Sequence, residues 1–559
     1  MAVNKNNRFT FLVGGEAGFG VRRAGTTAAA LFSSMGRYCF EMDDYQSLIR
    51  GGHNFSVVTS APQEVMSQYL KADVVVALDE RSYDIHRGHV AEGGVLVVNS
   101  DAVENRGSDA VALSLTSLAK DYPPASLRLG VASIAVLGAA IGQSEDELIA
   151  FIRQQYPRDV DSNAEYARLV FQRASEEFGS RFKLEHGDAP ATMLTGNQAI
   201  ALGAYAGGLD AYFAYPMTPS SSILHYLAGH AEELGVLAVH PESEIAVMNM
   251  ALGAASMGPR AMVGSSGGGV ALMEEAMSLA GMAEVPIMVV LSSRSGPSTG
   301  VPTYTEQGDL MFALNQGHGE FPRVVASPGS VREAYSLAAL LMGIAWRYQV
   351  PAILLTEKHM SESGMTVPMP QELPDTLMPL VAKNEGEYKR YANTEDGVSP
   401  LLFPPSDQLI KWTSYEHDEL GLTTEAAGAI ASMHEKRNRK RQTVVEAVRE
   451  MNTVNRFGSG KTAIVTYGST TMSVREALLA GSLEAEVVQP VFLEPFPSWE
   501  IESLKERNVV VVEQSCAAQL ATLLEMKTGI KATHSITQYD GRPFDPDDLA
   551  DRLREVLRG

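Results

Sequence analysis

Cysteine is almost absent: the 559-residue chain has only Cys39 and Cys516, far apart and in no metal-ligand spacing. A disulfide scaffold, a zinc finger and an iron–sulfur cluster held by this chain are thereby excluded. No apolar run approaches the ~20 residues of a membrane span. The amino terminus, MAVNKNNRFTFLVGG, passes from polar residues straight into a short apolar strand with no signal-peptide h-region. Positive charge is also scarce, with 45 Lys and Arg against 67 Asp and Glu and a formal net charge of -22. That balance argues against a nucleic-acid surface, which needs clustered Lys and Arg. The one dense basic run, Glu435 to Gln442 (EKRNRKRQ), places its cations all round a helix. It reads as a solvated helix face, with an anion contact as the alternative. No short-period repeat is visible. What remains is a soluble, cytoplasmic globular protein.

Composition agrees, at 45% hydrophobic and 20% charged residues. The length is too great for one core and suggests about three or four domains. From Arg8 the order is strand, glycine-rich turn, helix, followed by strands at NFSVVTS, DVVVALD and GGVLVVNS. This alternation predicts a parallel sheet covered on both faces. A second α/β unit opens at ATMLTGNQAIALGAYAGG and runs to PAILLTEKH. Proline-rich stretches then lead to a long helix predicted over Thr423 to Asn455, a connecting segment with some structure of its own. A third α/β unit closes the chain with strands KTAIVTYGS, EVVQPVFL and NVVVVEQS. The predicted fold class is α/β with three parallel-sheet domains.

In such sheets ligands sit at the carboxyl ends of strands. The loop Gly14 to Gly20 (GGEAGFG) meets that description but lacks the P-loop Lys and the dinucleotide GxGxxG spacing. Two readings stand: a backbone phosphate cradle, or a tight strand-to-helix turn. Arg50 to Phe55 (RGGHNF) sets a glycine pair beside a cation and His53, which is either functional or a surface or hydrogen-bonded histidine.

The middle unit is richer. Tyr215 to Ser221 (YPMTPSS) holds Thr218 between two prolines that restrict its backbone. Glu242 and Glu244 stand at the start of an apolar helix, where acids favour the dipole; Glu244, followed by Ile245 to Met248, is also placed for partial burial. Gly264 to Gly269 (GSSGGG) and Ser292 to Thr303 (SSRSGPSTGVPT) complete the set, the latter with Arg294, a side chain able to grip a carboxylate by two parallel bonds.

YPMTPSS, ESEIA, GSSGGG and SRSGPSTGVPT resemble the alpha subunit of thiamine-diphosphate-dependent 2-oxoacid:ferredoxin oxidoreductases. The likeness runs almost end to end. It implies a gamma-type domain over residues 1–187, a thiamine pyrimidine-binding domain over 190–365, a connecting segment over 366–458 and a transketolase C-terminal-like domain over 459–559. This gamma–alpha fusion is most similar to the two-subunit 2-oxoglutarate enzymes. By resemblance Glu244 is the acid on the cofactor's pyrimidine nitrogen, with Tyr215, Pro216, Gly267 and Gly268 beside the cofactor. Thr218 faces the reacting carbon, Arg294 takes the substrate's C1 carboxylate, and Ser298, Thr299 and Thr303 extend the polar wall. Coenzyme A, by the same implication, meets the gamma-type domain at Gly15, Gly18, Gly20, Gly52 and Asn54.

Two family features are missing. There is no GDG motif with its following asparagines, only HGDAP and EQGDL, and no CxxC. The resemblance therefore implies half an active site, completed by a beta subunit carrying the diphosphate site, Mg2+ and a [4Fe–4S] cluster, with ferredoxin as electron acceptor. The implied reaction converts 2-oxoglutarate and coenzyme A to succinyl-CoA and CO2, reversibly, and the implied assembly is a dimer of heterodimers. A second carboxylate needs another cation; His318, Arg323, Lys358 and His359 are the candidates, and His417 either reaches the site or caps a turn. The alternatives are pyruvate, branched-chain or aryl 2-oxoacids, and, in another class, a non-catalytic nucleotide-binding scaffold. Retention of Thr218, Glu244 and Arg294 together counts against the scaffold. A self-sufficient thiamine enzyme fails on the absent metal motif.

Overall fold

The computed structural model describes residues 7–47, 51–189, 192–368, 377–383 and 386–558. Arg50 and much of the proline-rich stretch at 369–376 lie outside the described residues. The chain forms two units: residues 1–194 with 363–369 and 545–549, and the remainder.

The first unit is built on an eight-stranded sheet. Phe9–Glu16, Ala72–Ala77, Val90–Asn99 and Val111–Leu113 run parallel, as the sequence pattern predicts. The next three strands are antiparallel: His53–Ala61 pairs with both Phe9–Glu16 and Tyr38–Asp44, and Gly364–Thr366 pairs with Tyr38–Asp44. The stretch between Tyr38–Asp44 and His53–Ala61 is too short for the crossover that parallel pairing requires, so those strands close as a hairpin. Helices Val21–Ser34, Ala125–Ile141, Glu145–Gln155 and Val160–Phe178 supply the core with the inward residues of the strands.

The first strand reaches Glu16, so Gly14 and Gly15 are strand residues, and the turn itself rests on Gly18 and Gly20, at φ 104 and 78. Gly14 has a different task. A Cβ there would stand 2.9 Å from His86 Cδ2 and 3.2 Å from His53 Cε1, so its absence admits a file of imidazoles. His53 Nε2 meets His86 Nε2 at 2.8 Å, and His86 Nδ1 meets His89 Nδ1 at 3.0 Å. His53 Nδ1 lies 3.3 Å from Ser82 Oγ, which donates to Asp79 Oδ1 at 2.7 Å. Read back from the carboxylate, one proton per imidazole satisfies every link: His89 donates to His86, His86 to His53, His53 to Ser82. Burial pulls all three imidazoles below their ordinary pKa, His86 to about 3.

The second unit holds two sheets. In the seven-stranded one the order is Phe492–Glu494, Val324–Ala326, Pro351–Glu357, Ile287–Ser293, Ala261–Ser265, Ala211–Phe213, Leu237–Val239, all parallel except the first. Ile287–Ser293 is buried along its whole length, which explains its unbroken apolar run. The five-stranded sheet carries the expected carboxyl-terminal strands, with Val454–Gly458 antiparallel at its edge.

The long helix is Ala427–Arg449, and its basic run is not a solvated face. Lys436 and Lys440, both at 0% exposure, converge on the buried Glu284 carboxylate, Lys436 Nζ at 2.8 Å from Oε1. Arg437, also buried, donates to Glu416 Oε2 at 2.6 Å. Arg390, buried too, donates to the carbonyl of Glu284 at 2.7 Å and to Gln349 Oε1 at 3.0 Å. Burial alone would push the Glu284 carboxyl up, but the two ammonium groups outweigh it and hold it far below the usual range. Burial pulls Lys440 down to about 7. The i, i+4 spacing gives the run one inward side, and a carboxylate far away in sequence makes that side habitable for charge.

Candidate active site

Along the carboxyl edge of the seven-stranded sheet the strand ends present, in order, Lys358, Arg294, the 265–269 glycine run, the Tyr215–Thr218 corner and the His240–Glu244 turn. Glu244 is the first residue of helix Glu244–Ser256, which Ser243 caps by accepting from the Ala246 amide. Glu244 is 4% exposed and its Oε1 is buried with no hydrogen-bond partner. Glu242, two residues earlier, is exposed. A dipole-stabilising acid would suffice at the surface; a buried carboxyl oxygen with nothing to bond is a group arranged for something else.

The glycine run fits between two carboxyl groups. A Cβ on Gly269 would lie 2.0 Å from Ser265 Oγ and 2.9 Å from Glu244 Oε1, and one on Gly267 would lie 2.5 Å from Asp309 Oδ2. Gly268 is exposed, with the Ser298 carbonyl passing over it. These glycines thus serve the approach of two acids as much as any ligand.

The Thr218 corner is clamped from two sides. Arg294 Nη1 donates to the Thr218 carbonyl at 2.9 Å. Asn197, fully buried in the first turn of helix Gly196–Ala206, donates from Nδ2 to the Pro219 carbonyl and to Ser222 Oγ, both at 2.7 Å. Tyr215 and Thr218 remain accessible, Tyr215 set edge-on to His240 with ring centroids 5.7 Å apart. Burial pulls the Arg294 guanidinium below its ordinary pKa while Asp309 pushes it back up. The Asp309 carboxyl is raised by its own burial, eased by Ser293 and Arg294.

The structure sorts the remaining candidates. Ser298 and Thr299 sit at the exposed tip of the loop closed by the Ser295–Val301 bridge, whereas Thr303 is buried with its hydroxyl unpartnered. His417 is buried in a turn, Nδ1 on the Tyr415 carbonyl and ring against Tyr391 at 3.7 Å, in agreement with the turn reading. In the first unit, Gly15 packs on Leu78, Gly18 has open space where a side chain would stand, Gly52 has φ 79, and Asn54 Oδ1 accepts from the Gln46 amide at 3.3 Å. Sequence reasoning missed Asp309 and Asn197. The signal for Asp309 was the need for glycine at 267; Asn197 lies outside any loop and gave none. Among the described residues no cluster of three or more His, Cys, Asp or Glu is placed to hold a metal ion, and no helix is long and apolar enough to cross a membrane.

Comparison with known proteins follows the same lines. Residues 202–436 match the family described as pyruvate flavodoxin/ferredoxin oxidoreductase, thiamine diphosphate-binding, and residues 10–173 match pyruvate ferredoxin/flavodoxin oxidoreductase. The alpha subunit of 2-oxoacid:ferredoxin oxidoreductase 2 from Aeropyrum pernix is 31% identical over 98% of this chain and 97% of its own. The 2-oxoglutarate oxidoreductase subunit KorA of Mycobacterium tuberculosis is 26% identical over 98% and 91%. The solved 2-oxoglutarate:ferredoxin oxidoreductase from Magnetococcus marinus, with 2-oxoglutarate, coenzyme A and succinyl-CoA bound, is 27% identical with a TM-score of 0.89, covering 98% of this chain and 99% of that one. With a relative this similar along nearly its whole length, the chain belongs to the 2-oxoacid:ferredoxin oxidoreductases, as an alpha subunit.

Proposed function

We propose that this alpha subunit serves the CoA-dependent oxidative decarboxylation of 2-oxoglutarate, yielding succinyl-CoA, CO2 and two electrons for ferredoxin, and the reverse. The observation that carries the reading is the buried, partnerless Glu244 Oε1 at the same sheet edge as the Arg294–Thr218 clamp. An acid so placed fits the pyrimidine ring of thiamine diphosphate, whose ring nitrogen offers the missing hydrogen-bond partner. When bound, that cofactor supplies the nucleophilic carbon and the electron sink that the side chains of this chain lack. Glu244 holds the proton at the ring nitrogen. Arg294 grips the C1 carboxylate and aligns the 2-oxo group, and Thr218 fixes its orientation from the rigid corner, with Tyr215 and Pro216 beside it. Thr303 lines the wall; Ser298 and Thr299 stand further out.

The reading assigns domain roles as well: gamma-type for residues 1–187, pyrimidine-binding for 190–365, connecting for 366–458 and transketolase C-terminal-like for 459–559. The first of these takes coenzyme A at Gly15, Gly18, Gly20, Gly52 and Asn54. A partner subunit brings the diphosphate site, Mg2+ and the [4Fe–4S] cluster. Helix Glu244–Ser256 supports that partner: it is apolar all round, yet Ile245 and Met250, and Met257 just past its end, stand exposed at 56%, 46% and 55%. A helix of that composition belongs inside an assembly. The test is to co-express the chain with the adjacent beta-type reading frame and measure CoA-dependent dye reduction with 2-oxoglutarate and with pyruvate. Activity favouring 2-oxoglutarate supports the assignment; preference for pyruvate moves the substrate, and no activity with any 2-oxoacid overturns the reading.

A further inference from the structure

A 2-oxo dicarboxylic acid has a second anion to place, and the sequence offers His318, Arg323, Lys358 and His359 without ranking them. Sheet geometry separates them. Arg323 immediately precedes the amino end of strand Val324–Ala326, and its Nη1 donates to the Leu314 carbonyl at 3.0 Å. His318 bonds through its amide to Ser278, in the helix that leads into the amino end of strand Ile287–Ser293. Both therefore stand at the edge of the sheet opposite Arg294. His359 is at the correct edge, with its amide on Thr305 Oγ1 at 3.3 Å, but burial and the neighbouring Lys358 pull its imidazole down to about 3, so it is neutral. Lys358 alone is both a cation and at the carboxyl edge.

Its register is specific. Ser293 pairs with Glu357 in the adjacent parallel strands, so Arg294 and Lys358 are the next residue of each. Neighbouring strands lie about 4.8 Å apart. The two carboxyl carbons of a five-carbon 2-oxo diacid are separated by four bonds of about 1.5 Å, or roughly 5 Å when extended. Along the edge, the order Glu244, Arg294, Lys358 follows the order of cofactor ring, C1 carboxylate and chain end. The Lys358 side chain is 8% exposed, and its Nζ stands 3.8 Å from Glu362, an ion pair longer than a hydrogen bond.

We propose that Lys358 is the specificity-determining residue of this subunit, receiving the distal carboxylate of a 2-oxo dicarboxylic acid. The proposal rests on the reading of Arg294 as the C1-carboxylate residue. It is tested on the co-expressed complex by kcat/KM for 2-oxoglutarate and for 2-oxobutyrate, which lacks the second carboxylate. Calorimetric titration with the unreactive 2-hydroxyglutarate and 2-hydroxybutyrate gives a readout independent of turnover. Lys358→Met is expected to lower the preference for the diacid over the monoacid by about 100-fold in both measurements, and Lys358→Arg to restore most of it. Equal losses for both acids in Lys358→Met, or a wild-type complex that binds both hydroxy acids alike, overturns the proposal. Arg294→Met separates the two levels: loss of both hydroxy acids upholds the underlying reading whatever Lys358 does, and retention of both removes it.

Discussion

A single carboxyl oxygen carries the most weight at the residue scale. Glu244 Oε1 is buried and unpartnered, an arrangement that costs stability and is retained where it is used. Glu244→Gln keeps the shape but cannot play the same acid–base part, so kcat should fall about 100-fold or more while the thermal midpoint holds or rises, read by dye reduction and calorimetry. An equal fall in both would make Glu244 a structural acid. The glycine run gives a second prediction. Gly269→Ala would set a methyl 2.0 Å from the buried Ser265 Oγ, and even with that hydroxyl rotated away 2.9 Å from both Ser265 Cβ and Glu244 Oε1. A destabilisation of about 1–3 kcal/mol is expected in denaturant unfolding, together with lost activity.

The imidazole file and the buried charge cluster belong to the scale of elements. His53, His86 and His89 titrate below their unfolded value of about 6.5, so between that pH and their folded pKa the unfolded chain binds more protons. Their contribution to stability is fully present above pH ~6.5 and is lost as pH falls, by up to about 1.4 kcal/mol per pH unit for each fully engaged histidine. Thermal unfolding of wild type and His86→Gln from pH 7.5 to 4.5 checks this; the variant should show the shallower loss, and parallel curves would contradict it. In the second unit, Glu284→Gln leaves Lys436 and Lys440 buried beside a neutral amide. A loss of about 3–5 kcal/mol in chemical denaturation is expected.

These same elements show what the sequence could tell. Ile287–Ser293 and Phe9–Glu16 were legible because a short, largely apolar stretch ending in small or polar residues has one good solution, a buried strand with a loop at its carboxyl end. The sequence also places the Thr218 corner, Glu244 and Arg294 in loops that follow strands, and the structure brings all three to the carboxyl edge of one sheet; their roles there belong to the proposed function. The antiparallel strands of the first sheet, the burial of Lys436 and Lys440 and the meeting of His53 with His86 were not legible. Each depends on a partner far along the chain, and local pattern holds no record of which distant strand or acid will face it. His318, Arg323, Lys358 and His359 could not be ranked from the sequence because a cation near a strand can lie at either end of it, and only the sheet says which.

At the scale of the whole molecule, the proposed function makes this chain one part of an active site. It offers a buried acid, an arginine at the same sheet edge and a rigid corner, its sequence carries neither a GDG motif nor a CxxC, and Ile245 and Met250 stand exposed on the helix that begins at Glu244. Ile245→Glu should prevent co-purification with the beta-type partner without lowering the thermal midpoint of the isolated chain, measured by affinity pull-down and calorimetry. Retained association would place the interface elsewhere. The central claim, that this edge is the substrate half of a 2-oxoglutarate site, is tested most directly by CoA-dependent dye reduction in the co-expressed complex, wild type against Arg294→Met. Activity with 2-oxoglutarate that collapses in the variant is the predicted result. Full activity in the variant would contradict the account.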